Sequence, residues 1–354
     1  MPRAESTSTV FSEPAADRLA RQIAALPDDV RRFVRLRDDY AYTSDVVAAL
    51  AAAPAGTLLA DKAGRTIGAR LGRADDARLE ASVTAHLQAP GTAFDADALV
   101  GPYDTRLRKH ARPVALPASD PSTERALFDA SYKGVTDIVT KRVWPTPAFA
   151  AVRWCARSGI SPNLVTALSG VLVLGAFALF WHGYFFAGLA AGWAMCFLDT
   201  VDGKLARVTL SSSRLGDIAD HGIDLIHPPF WWWAWAVGAG MGGDEGTAAL
   251  LAPALAVIVA GYLAQRLEEG WFIFRFGADM HTWRRFDSRF REITARRNPN
   301  LLILMAFTAV GLPAEGLVAV AAWVAICFAV HLLRIVQAHI AARAGPLVSW
   351  MAQP

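Results

Sequence analysis

Five aspartates fall within 26 residues of an otherwise apolar stretch: Asp199, Asp202, Asp217, Asp220 and Asp224. Carboxylates in such surroundings are costly, so they mark sites of function by default. On a helix, Asp199 and Asp202 (i, i+3) share a face, as do Asp220 and Asp224 (i, i+4). A short turn between two helices would bring both pairs together. Four carboxylates aimed at one another repel unless cations sit between them. Oxygen-only donors select a hard divalent ion, Mg²⁺ or Mn²⁺, whose shell is usually completed by substrate phosphates. The residues between the acids fit the same chemistry. Gly203, Ala206 and Gly216 remove side chain where a ligand must approach the backbone, and Arg207 offers a guanidinium fork suited to phosphate. Helix capping explains one or two of these positions but not the regular set. Asp217 reads as a cap or a solvated acid, and His221 as a satisfied polar neighbour.

The elements that must position these residues are membrane-like. Hydrophobic residues make up 54% of the chain and charged ones 19%, against about 45–50% and about 25% in ordinary soluble domains. Mean hydropathy is +0.29. These values exclude a disordered chain and a soluble enzyme of average composition. The excess is one-sided: all twelve tryptophans lie at or after Trp144, while residues 1–130 are Ala-rich, Arg-rich and charged. From residue 163 the pattern predicts six membrane helices, at about 163–181, 184–202, 216–240, 247–272, 299–312 and 316–336, a crossing needing about 20 residues. The fifth is short unless it starts inside the preceding loop.

The turns near 182–184, 241–246 and 311–315 carry no Lys or Arg. The alternate connections carry Lys204, Arg207 and Arg214, then a run from Arg275 to Arg297. The bias of basic residues toward the inside then places those loops and both termini in the cytoplasm, in a multi-pass protein of the inner membrane. The run FWWWAW at 230–235 reads as an interfacial aromatic belt or a packed helix face. In residues 141–163, basic side chains alternate with Trp144, Phe149, Val152 and Trp154, which predicts a helix lying in the interface.

The acidic string matches D-x2-D-G-x2-A-R-x8-G-x3-D-x3-D at every specified position. In this it resembles the CDP-alcohol phosphotransferases, and the six-span organisation after residue 140 is similar to theirs. The resemblance covers about 200 residues. It implies transfer of a phospho-alcohol group from a CDP-linked donor, often CDP-diacylglycerol, to an acceptor hydroxyl with release of CMP, in phospholipid or inositol-phosphate-type biosynthesis. It further implies that Asp199, Asp202, Asp220 and Asp224 hold one or two divalent metals, with Asp224 also the base that takes the acceptor proton. Gly203, Arg207 and Ser213 would contact the CDP portion, with Ala206 and Gly216 giving it room. Pro162 and Asn163, in SPNLVT at the start of the first span, stand where the family has another nucleotide contact. The acceptor is not specified by the motif: inositol phosphate, glycerol phosphate, serine and a second lipid stay open, as does a soluble rather than lipid donor.

The whole chain therefore reads as mainly α, in three parts: a soluble accessory α/β domain at 1–120, a linker and interfacial amphipathic helix at 121–162, and a six-helix membrane catalytic domain at 163–340. Within the first part, RRFVRL at 31–36 predicts a strand, and TSDVVAALAAA predicts a helix capped by Thr43 or Ser44. TLLADKAGRTIGARL predicts a hairpin turning at Asp61–Arg65, and ALPASDPS at 115–122 a linker. This front end is vaguely similar to a shortened cytidylyltransferase domain that some relatives carry. It lacks the Gly-rich nucleotide loop, so it is expected not to make a CDP-alcohol from CTP. The N-terminus has no apolar core of a signal peptide, which predicts no cleaved leader.

Cys155, Cys196 and Cys327 are scattered in apolar runs and read as buried thiols rather than disulfides or a zinc site. Net charge +3 with no basic-aromatic block argues against nucleic acid; the bilayer is the expected partner, and a homodimer is left open. Arg266, Glu268 and Glu269 either pair with one another or line an acceptor pocket. The Arg284–Arg297 run reads mostly as inside-positive bias, with anion binding as the alternative. An intramembrane prenyltransferase would need two separated acidic motifs, whereas this chain has one continuous motif. A transporter would place its acids mid-bilayer rather than at helix ends on the basic side.

Overall fold

The computed structural model describes residues 8–71, 93–95, 103–211 and 214–352, with the backbone alone at 93–95 and 214–221. The chain divides into two compact units, one comprising Met1–Tyr132 with Ala156–Ser158 and Arg207–Leu210, the other Lys133–Cys155, Gly159–Ala206 and Ser211–Pro354. The described residues are mainly helical, with a small N-terminal α/β region.

In the first unit the strands are β1 (Thr9–Val10), β2 (Glu13–Pro14), β3 (Val34–Leu36), β4 (Tyr40–Tyr42), β5 (Leu58–Ala60), β6 (Thr66–Arg70), β7 (Ala93–Asp95), β8 (Tyr103–Asp104), β9 (Lys109–His110) and β10 (Ala115–Pro117). The helices are α1 (Ala15–Ala24), α2 (Asp28–Arg31), α3 (Ser44–Ala52) and α4 (Thr123–Ala130). A four-stranded sheet runs β3-β6-β5-β7, with β5 and β7 parallel and the other pairs antiparallel.

The expected hairpin is present as β5–β6. Asp61 Oδ1 accepts from the backbone N–H of Ala63 and Arg65, both at 2.9 Å, and Gly64 takes the left-handed conformation the turn requires (φ +75°). Thr43 is the N-cap of α3, but its hydroxyl accepts from Val114 N–H rather than capping the helix. Leu19, Val34, Tyr42, Val46, Leu50, Leu59 and Ile67 form the core between sheet and helices. The segment expected as a linker is not one: β10 pairs antiparallel with β4, and α4 follows it. Its Pro and Ser residues suit an edge strand and a helix start as well as a free connection.

The second unit contains α5 (Ile138–Arg142), α6 (Pro145–Arg157), α7 (Pro162–Trp181), α8 (Phe185–Val208, to Ala206 within this unit), α9 (Arg214–Gly238), α10 (Glu245–Phe276), α11 (Arg285–Phe290), α12 (Arg297–Ala309) and α13 (Pro313–Ala341). Ser161 caps α7 and Pro162 takes its first turn, where a missing N–H costs nothing. Asp244 caps α10, and Gly277 ends it in the left-handed conformation.

Among the described residues, four helices, α7, α8, α10 and α13, are long and apolar enough to cross a membrane. The expectation of six such spans is met only to that extent. α9 has 25 residues but carries the acidic motif, and α12 has 13, about 20 Å at 1.5 Å per residue. The tryptophan run is a packed face rather than a belt. Trp231, Trp232 and Trp235 are buried among Phe180, Leu251, Leu301 and Leu317, leaving Phe230 and Trp233 exposed. Each indole N–H of Trp231 and Trp235 finds a carbonyl, at Val173 (3.0 Å) and Pro313 (2.8 Å). In the pre-span segment, Val152 is buried and Trp144 packs edge-on against Trp193 and Phe197, so Trp154 is the exposed aromatic of the alternating set.

Candidate active site

Three helices and one helix start supply the site. Asp199 and Asp202 lie one turn apart on α8, and Asp224 lies on α9. Although Asp199 and Asp202 share a face, they turn to different partners. Asp202 is 3% exposed. It accepts from Thr166 Oγ1 of α7 at 2.6 Å and from the N–H of Gly203 at 2.5 Å. The carbonyl of Pro162 lies 3.1 Å from the same Thr166 hydroxyl. The first turn of α7, which carries Pro162 and Asn163, is thereby tied to the acidic helix through Thr166.

Asp199 and Asp224 meet on a single cation. Arg297, the first residue of α12, donates from Nη2 to Asp199 Oδ2 and from Nη1 to Asp224 Oδ1, each at 2.5 Å. The Arg297 side chain is 13% exposed and that of Asp224 42%. Asp224 is thus the accessible carboxylate of the three, and Asp202 the enclosed one. Gly203, Ala206 and Arg207 continue α8, while Gly216 and Asp220 fall on the backbone of α9. Ser213 and the side chains of 214–221 lie outside the described residues.

Among the described residues, no three His, Cys, Asp or Glu side chains stand close enough to share a metal. The Arg297 guanidinium is seated where Asp199 and Asp224 would face each other. The donors nonetheless suit a hard divalent ion. They are oxygens alone, and the space between two of them already accepts a positive charge.

A second polar group lies toward the end of α10. Glu269 pairs with Arg296, with Arg266 (3.4 Å) and with His281 (3.2 Å). Glu268 is buried and faces His331 of α13 at 3.5 Å. The loop that carries the basic run is also pinned from outside it: Arg334 of α13 grips both oxygens of Asp287, at 2.6 and 2.9 Å, and lies over the Trp283 ring. Thr166 and Arg297 are the site residues that spacing did not single out. One cue existed for Arg297: consecutive arginines opening a helix oppose the helix dipole and need carboxylates nearby.

No curated protein matches the chain. Residues 159–280, from the approach to α7 into the loop after α10, match the family model of the CDP-alcohol phosphatidyltransferases.

Proposed function

We propose that this protein is a membrane-embedded, divalent-metal-dependent transferase. It moves a phospho-alcohol group, of the phosphatidyl type, from a CDP-linked donor to an alcohol hydroxyl and releases CMP. The observation that carries this reading is the meeting of motif aspartates from α8 and α9 around one positive charge, inside the segment that matches the family. Six crossings by α7–α10, α12 and α13 frame the site, and the N-terminal α/β unit is accessory.

Asp199, Asp202, Asp220 and Asp224 would hold the metal, which when bound neutralises charge on the pyrophosphate as CMP departs. The remaining work belongs to the chain. Asp202, fixed by Thr166 and the Gly203 N–H, cannot swing out and serves as a stationary oxygen donor. Asp224 is half exposed and free on one side, which suits a base. Its carboxylate takes the hydroxyl proton of the acceptor as the acceptor oxygen bonds to the phosphorus of the donor's alcohol side. The bond from that phosphorus to the bridging oxygen breaks, and CMP leaves with the electron pair. Gly203 and Ala206 leave space for the nucleotide along α8, and Arg207, Ser213, Pro162 and Asn163 are the contacts for its phosphate and base.

The test is CMP release by purified protein supplied with CDP-diacylglycerol, Mg²⁺ and a panel of alcohols. Release that needs the metal and disappears in Asp202→Asn is expected. No CMP from either lipid or soluble CDP-alcohols would overturn the reading.

A further inference from the structure

Arg297 lies beyond the family match and on a different helix from either aspartate it holds. One planar group closes across two helices, each of its two terminal nitrogens taking one carboxylate, a fork that a lysine does not offer. Its position is electrostatically odd: the free N–H groups and dipole of a helix start favour an anion there. The carboxylates of Asp199 and Asp224 offset that cost. Its neighbour Arg296 turns instead to Glu269, so the two consecutive arginines serve separate acids. Asp199 and Asp224 bring two negative charges, and Arg297 returns one. A divalent ion between the same oxygens would return two, and it would need the space that the guanidinium fills, whose Nη1 and Nη2 each lie 2.5 Å from one of them.

We propose that Arg297 is an internal counter-cation: in the metal-free protein it holds Asp199 to Asp224, and a divalent ion binds by displacing it. The inference rests on the proposed reading only in assigning these aspartates to a metal. It makes Arg297 compete with that metal for the two carboxylates and brace them in the metal's absence, so binding of the ion and release of the arginine are one linked event.

The test is Mn²⁺ binding to the full-length detergent-purified protein without any donor, followed by the electron paramagnetic resonance of the free ion, together with melting in EDTA. Arg297→Gln should bind Mn²⁺ tighter by about 5- to 150-fold, the ordinary scale of coupling between sites. It should also melt lower than wild type in EDTA and recover more on adding Mn²⁺. Arg297→Lys keeps the charge but spans one carboxylate, so its affinity should fall between the two. Should Arg297→Gln not fold, Arg297→Lys decides alone: tighter binding than wild type supports the proposal, and equal or weaker binding overturns it. Mn²⁺ binding that Asp199→Asn abolishes but Arg297→Gln leaves unchanged or weakens overturns the counter-cation alone. Absence of Mn²⁺ binding in both wild type and Arg297→Gln overturns it together with the metal reading.

Discussion

Asp202 and Asp224 carry the same functional group in opposite surroundings, and the proposed function gives them different work. Asp202 is enclosed and has its oxygens engaged by Thr166 and Gly203. A proton-accepting base must be reachable by the hydroxyl, and of the three carboxylates that of Asp224 is the exposed one. Asp224→Asn should therefore lower turnover by a factor of about 10² or more while binding of the CDP donor in Mg²⁺ survives. Asp199→Asn and Asp202→Asn should weaken metal and donor binding together; CMP release and donor binding measured side by side separate the cases. Thr166→Val leaves the buried Asp202 carboxylate short of a donor, and should destabilise the protein by about 1–3 kcal/mol, read as a lower melting temperature. The acidic residues were legible because their chemistry is written in short spacings. Thr166 and Arg297 were not, because their partners lie 36 and 98 residues away along the chain and only packing reveals such pairs.

Among the elements, what repeated locally was legible and what depended on long-range pairing was not. The β5–β6 turn follows from Asp61 and Gly64 in its own sequence, whereas the Thr43 hydroxyl read as the cap of α3 pairs with Val114, 71 residues away. The strand β10 depends on β4, more than 70 residues earlier, so its Pro and Ser residues concealed it. This changes where the chain can be cut. α4 belongs to the first unit: Glu124 accepts from Phe11 N–H, Lys109 donates to the carbonyls of Asp129 and Ala130, and Leu127 and Phe128 are buried. A chain starting at Asp120 would expose those two side chains, at a cost of about 1.5–3 kcal/mol each. It should aggregate on size-exclusion chromatography, whereas one starting at Lys133 should elute as a single species.

A second prediction at this level concerns the tie between the pre-span helix α5 and the basic loop. Burial pushes Glu292 up, but its bonds to Lys141 (2.6 Å) and Arg142 (3.4 Å) outweigh that and hold it below its ordinary value of 4.5. Because the folded value is depressed, the pair's stabilisation is present above 4.5 and is lost as pH falls through the folded value. The gap in melting temperature between wild type and Glu292→Gln should be largest near pH 7 and shrink on acidification below 4.5. A gap independent of pH would show that the bonds contribute nothing.

For the whole molecule, the short α12 is informative about depth. Its first residue, Arg297, is level with the acidic site, and its far end is followed at once by Pro313, whose carbonyl receives the Trp235 indole near the end of α9. From Asp224 to Gly238 along α9 is about 21 Å at 1.5 Å per residue, and α12 is about 20 Å long. Both helices thus run from the site to one common end, and α12 is short because it starts at the site. That common end gathers the turns without Lys or Arg. Gly183 abuts Gly238 so closely that a Cβ on Gly238 would lie 1.9 Å from the Phe180 carbonyl oxygen; the 241–246 turn follows α9 directly, and the 311–315 turn is held by Trp235. Arg334, 21 residues beyond Pro313 on α13 and so about 32 Å away, closes the opposite end against Asp287 and Trp283. Such an arrangement has one basic end and one end whose turns carry no Lys or Arg, and basic loops stay in the cytoplasm. A reporter fused after Pro354, and a cysteine label at Arg285, should therefore both read out on the cytoplasmic side. An external reading after Pro354 would mean that α12 enters and returns without crossing, leaving an odd number of spans.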